Sequence, residues 1–103
     1  MIYVIATIEI APGKRADFLR EFQANVPSVL AEEGCIEYVP TVDLQTSIDA
    51  QGEARANVVT VVEKWASTEA LEAHLIAPHM LSYRAKVKDL VQHVALQVLE
   101  PAR

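Results

Sequence analysis

A chain of 103 residues is about one small domain. Half of the residues are hydrophobic, enough for a core, while 9 basic against 14 acidic residues leave a net charge of −5. That balance disfavours nucleic acid and anionic membrane surfaces, which need a basic face, and no apolar run approaches the ~20 residues of a membrane-spanning helix.

Residues 2–10, IYVIATIEI, are rich in β-branched residues and predict a strand. Ile2, Val4, Ala6, Ile8 and Ile10 fall on one face, with Tyr3, Ile5 and Thr7 on the other. Pro12 and Gly13 turn the chain. Residues 14–33 carry Phe18, Phe22, Val26, Val29 and Leu30 at helical spacing, with Pro27 expected to kink the helix and Gly34 to cap its end. Residues 35–43 predict a second strand, which Pro40 assigns to an edge or a bulge. The polar run 44–57 reads as a long hairpin loop, and 58–65, VVTVVEKW, as a third strand. Ser67 is the expected N-cap of a helix that runs to about Ile76. Pro78 ends it and opens the next, which carries Met80, Tyr83, Val87, Leu90 and Val91 on one face. Residues 93–99 close the chain as a fourth strand.

The order β-α-β, β-α-α-β is the split βαβ, ferredoxin-like arrangement, an α+β fold with an antiparallel sheet. Its helices cover one sheet face. The strands read as apolar on both: Val58, Thr60 and Val62 oppose Val59, Val61 and Trp65. No helix remains for the second face, so a homodimer with its sheets packed face to face is expected. Cys35 has no partner for an internal disulfide, and MIYVIATIEI lacks the basic leader and cleavage site of a signal peptide. A reducing cytoplasm is the compartment these features suggest.

The run EAHLIAPHM places His74 and His79 on either side of Pro78. On an unbroken helix, positions five apart diverge by about 140°. No third ligand is marked by spacing, and HExxH and CxxC motifs are absent, so no metal site is expected. His74 follows Leu71 by three residues and so faces the apolar side of its helix, as a candidate general base or as a core histidine. His79, in the first turn of the following helix, is a second candidate base or an exposed turn residue. Trp65 can wall a pocket for a flat ring or simply fill the core. Tyr38 and Tyr83 each carry a hydroxyl on an apolar body, suited to orienting a ligand and equally common as structural residues. Cys35, amid Glu32, Glu33 and Glu37, reads as packing, since nearby acids oppose a thiolate. Glu32 and Glu33 read as a solvated helix end. Without a glycine-rich phosphate loop, no nucleotide or flavin cofactor is expected.

The runs VPSVLAEEGCIEYVPTVD and VEKWASTEALEAHLIAPHMLSYRAKVKDLV resemble the antibiotic biosynthesis monooxygenase family, and within it the small bacterial quinol monooxygenases. The resemblance covers nearly the whole chain and is most specific in EEGC with Tyr38 and Asp43, and in EAHLIAPHM with Tyr83 and Val87. It implies a dimeric α+β barrel of two ferredoxin-like protomers, with a pocket between sheet and helices in each. It also implies oxidation of a small aromatic substrate by molecular oxygen without metal or flavin, the substrate serving as reductant. His74, His79, Trp65 and Tyr83 become the pocket candidates. Haem-degrading relatives need an asparagine on the first strand and a histidine on the last helix. Here those places hold Ala6 and Thr7, and Tyr83 and Arg84, which disfavours haem. An isomerase of a small hydroxyketone or diketone, or a dimeric ligand-binding module without turnover, are the alternative readings on the same scaffold.

Overall fold

A computed structural model describes all residues, 1–103. The elements follow the expected order: β1 (Ile2–Ile10), α1 (Arg15–Leu30), β2 (Cys35–Thr41), β3 (Val58–Trp65), α2 (Thr68–Leu75), α3 (Pro78–Val87) and β4 (Val91–Leu99). The strands form one antiparallel sheet in the order β2-β3-β1-β4. The first and third strands lie at its centre, as the split βαβ arrangement requires. Pro40 lies on β2, an edge strand, where its missing N–H costs no ladder bond on the outer side. No helix is long and apolar enough to cross a membrane.

Period-two alternation decides what the helices cover. Val4, Ala6, Ile8 and Ile10 of β1 are buried, in register with Glu63, Val61 and Val59 of β3 for the first three. Phe18, Phe22 and Val29 of α1, Leu71 of α2 and Met80 and Val87 of α3 close over that face. The opposite face has no cover: Ile5 and Val62 are half-buried and Val39 is exposed. On the helix side, at the β4 edge, Val94, Leu96 and Val98 stand in register with Ile8, Ala6 and Val4 and are exposed.

Of four points along the chain, three boundaries differ from the sequence reading and one, the place of Pro27, agrees with it. First, α1 stops at Leu30 rather than Glu33, and Leu30 is exposed although it fits the apolar stripe. The chain leaves the helix early because Gly34, at φ +83°, makes the turn into β2. A Cβ there would sit 2.6 Å from the Ala70 Cβ, so glycine also lets α2 approach this turn. Second, Pro27 lies inside α1. It falls in the last turn, so only the bond to the Gln23 carbonyl is forgone. Third, β2 ends at Thr41, not Asp43. Asp43 instead clamps the 44–57 loop by accepting from the Arg55 backbone N–H at 2.9 Å and from its guanidinium at 2.7 and 3.0 Å. Fourth, Val91 begins β4 rather than continuing the helix face. The Leu90 N–H closes α3 on the Val87 carbonyl, and Val91 then pairs with Ile10 beside a bulge. Two expected caps are present: the Ser67 hydroxyl accepts from the Ala70 N–H at 3.2 Å, and Pro78 occupies the start of α3.

Candidate active site

A cavity of about 430 Å³ lies between the sheet and the helices. Its floor is Ala6, Ile8, Val61 and Glu63; Tyr38 and Phe22 form one side. His74, Tyr83 and Met80 come from the helices, and Val94 and Leu96 carry the wall onto the uncovered part of β4. The volume falls in the range of small-molecule sites, and an apolar wall with few polar groups suits a flat ring.

His74 is 2 % exposed, on the inner face of α2, and lines the cavity. Its Nδ1 lies 2.8 Å from Glu32 Oε2. A carboxylate accepts, so the pairing places the proton on Nδ1 and leaves Nε2 as the basic nitrogen open to a ligand. Burial pulls the imidazole pKa below 6.5, and the Glu32 hydrogen bond and charge oppose that pull. The net direction is downward, toward a ring that is neutral and able to accept a proton at pH 7.

The same Glu32 oxygen lies 3.1 Å from His79 Nε2. The angle is not that of a hydrogen bond, and neither ring nitrogen of His79 has a partner. Glu32 therefore brings both histidines together, yet His79 is not in the cavity wall. It faces a separate, more polar groove with Asn25, Ser82 and Lys86. The solvated helix end read for Glu32 is corrected: its side chain is only 15 % exposed, because the turn at Gly34 folds residue 32 back over α2.

Trp65 is fully buried. It does not line the cavity but lies behind it, its indole 4.6 Å from the His74 ring and its Nε1–H donating to Glu63 Oε1 at 2.9 Å. It thus holds two cavity groups in place. Tyr38 and Tyr83 both line the cavity. Tyr38 stacks on Phe22 at 5.3 Å and meets the His74 ring edge-on at 5.4 Å; Tyr83 meets Phe22 edge-on at 5.7 Å. Burial raises both phenol pKa values, so each is a neutral donor rather than a base. Burial, with Glu32 and Glu63 nearby, pushes the Cys35 thiol up to about 11, against a thiolate role.

The residue that sequence reading missed is Glu63. It is 5 % exposed in the cavity floor. Burial pushes its carboxyl up to about 7, against the Trp65 hydrogen bond, which favours the carboxylate; Glu32 adds a smaller upward push. The signal was present: the alternation that puts Val59, Val61 and Trp65 on one face also puts Glu63 there. Arg84 and Lys88 are exposed but reach the cavity lining, whereas Lys86 does not. No group of three His, Cys, Asp or Glu side chains is arranged to hold a metal ion.

Residues 1–86 match the family described as antibiotic biosynthesis monooxygenase. The chain is 41% identical over 103 residues to the probable quinol monooxygenase YgiN of Escherichia coli K12, covering 98% of both chains. It is 33% identical over 91 residues to the putative monooxygenase YcnE of Bacillus subtilis, covering 88% of this chain and 86% of that one. Its fold matches the crystal structure of PA3566 from Pseudomonas aeruginosa with a TM-score of 0.80 at 29% identity, over 99% of this chain and 94% of the other. Sequence and fold agree, and the chain belongs to the antibiotic biosynthesis monooxygenase family.

Proposed function

We propose that the chain is a cofactor-independent monooxygenase that oxidises a quinol or similarly hydroxylated aromatic with molecular oxygen, working as a homodimer. The observation that carries this reading is His74: a neutral, carboxylate-oriented imidazole in an apolar cavity, in a chain 41% identical to a probable quinol monooxygenase. In this mechanism the ring lies between the sheet floor and Tyr38 and Tyr83. His74 Nε2 takes a hydroxyl proton, and Glu32 steadies the imidazolium that forms. The resulting anion is electron-rich enough to reduce oxygen directly. One oxygen atom enters a ring C–H bond and the other leaves as water, so quinol and O2 give hydroxyquinone and water. Trp65 positions the base from behind, and His79 tunes it through Glu32.

Arg84 and Lys88 at the cavity support a second reading, an isomerase of a small hydroxyketone or diketone bearing an anionic group, with His74 shuttling the proton. Oxygen separates the two, since an isomerase turns over without it. The test is oxygen uptake with a reduced naphthoquinol, counted only above the rate of its unaided oxidation in air. The expected result is a clear excess that falls by about 10²–10⁴ in a His74→Ala variant. No excess from folded protein rejects the oxygenase reading, and turnover of a hydroxyketone under anaerobic conditions supports the isomerase.

A further inference from the structure

Glu63 has no role in the chemistry above, yet it is the one acidic side chain in the cavity lining. A carboxyl with so little exposure at the floor of an apolar cavity is costly unless something holds it. Its only partner is the Trp65 N–H, on Oε1. Trp65 is in turn packed against His74, so one buried indole fixes both the base and the acid.

We propose that Glu63 is a second proton-handling group of this cavity, and that with His74 it selects a ring bearing two hydroxyls over a ring bearing one. The inference rests on the quinol reading and assigns the second hydroxyl. One O–H proton goes to His74 Nε2 and the other to the Glu63 carboxylate as the ring is oxidised. Oxygen is the oxidant: one atom is inserted into a ring C–H bond, and the other takes both collected protons and leaves as water. Both side chains return to their starting state. A carboxyl held near 7 can both accept and return a proton at neutral pH.

The titratable groups around Glu63 suit this task. Tyr38 on β2 and Tyr83 on α3 are neutral donors, Glu32 lies behind His74, and Arg84 and Lys88 stand at the α3 side. Cys35 is a neutral thiol. No cation pairs with Glu63.

The test is anaerobic binding, which requires no turnover, read by the emission of Trp65, the single tryptophan of the chain. The probes are 1,4-dihydroxynaphthalene and its monomethyl ether. The wild-type protein is expected to bind the diol about tenfold more tightly, the effect of one added hydrogen bond to a charged group. Glu63→Gln keeps an acceptor for the Trp65 N–H, and is expected to bring the ratio to near one while the ether binds as before. If the Gln variant does not fold, Glu63→Asp, shorter by one methylene, is expected to reduce the ratio in the same direction. Equal wild-type affinity for both probes, or a ratio unchanged in the variants, overturns the inference and leaves the oxygen-uptake test of the monooxygenase untouched. Binding of neither probe overturns the aromatic-site reading and this inference with it.

Discussion

At the scale of single residues, the site is a contest between burial and pairing. Burial favours neutral forms of both His74 and Glu63, lowering one pKa and raising the other. Glu32 opposes burial at His74 through its hydrogen bond and its charge. Glu32→Gln keeps an acceptor for Nδ1–H and removes the charge, so the imidazole pKa must fall further. A base is active when neutral, and the acid limb of the kcat/KM profile should therefore move to lower pH, by on the order of one unit. The Glu63 ionisation near 7 is present in both proteins, so the comparison is between their two profiles measured with one substrate. An unmoved limb would mean that His74 is not the titrating base. His74 was legible in the sequence because helical spacing from Leu71 puts it inward. Its partner was not. Glu32 lies 42 positions away, and only the folded turn at Gly34 reveals that an acid resembling a solvated helix end is largely enclosed.

At the scale of elements, alternation and helical stripes predicted every strand and helix, because one buried sheet face leaves a period-two or 3.6 signature in most segments. Boundaries were less legible because they depend on tertiary contacts. The α1 stripe continues through Leu30, but the turn that ends the helix is set by Gly34 and its approach to Ala70. That approach gives an element-scale prediction. Gly34→Ala places a side chain at φ +83° and a Cβ within 2.6 Å of another. The left-handed conformation costs roughly 1–2 kcal/mol before any clash. The expected result is a loss of at least ~2 kcal/mol in urea unfolding. Because the turn carries Glu32, oxygen-uptake activity should fall in the variant protein that remains folded. Full stability would mean that the turn can relax without disturbing α2.

For the whole molecule, the uncovered sheet face and the buried acid of the cavity each carry a prediction. Only 17 of 103 residues are buried in a single chain in which 51% are hydrophobic, so much apolar surface is left in contact with solvent. Light scattering should give twice 11.4 kDa, and Val62→Lys, on the open face beside Ile5, should shift the mass toward one chain. A wild-type monomer would refute the face-to-face dimer. The second prediction links the site to stability. The Glu63 pKa is raised on folding, from 4.5 to about 7, so the folded state holds a proton that the unfolded chain has released. The stabilisation is fully present below 4.5 and is lost as pH rises through 7. His74 acts in the opposite direction: its lowered pKa gives stability that is present above 6.5 and lost as pH falls through the folded value. The two oppose each other in wild-type protein, so the Glu63 contribution emerges only in the difference from Glu63→Gln. That difference should favour the variant progressively between 4.5 and 7 and then level off. The stability of an oligomer varies with concentration, so both proteins are compared at one chain concentration. A difference that does not vary with pH would place Glu63 in water-like surroundings, and the cavity would then lack its buried acid.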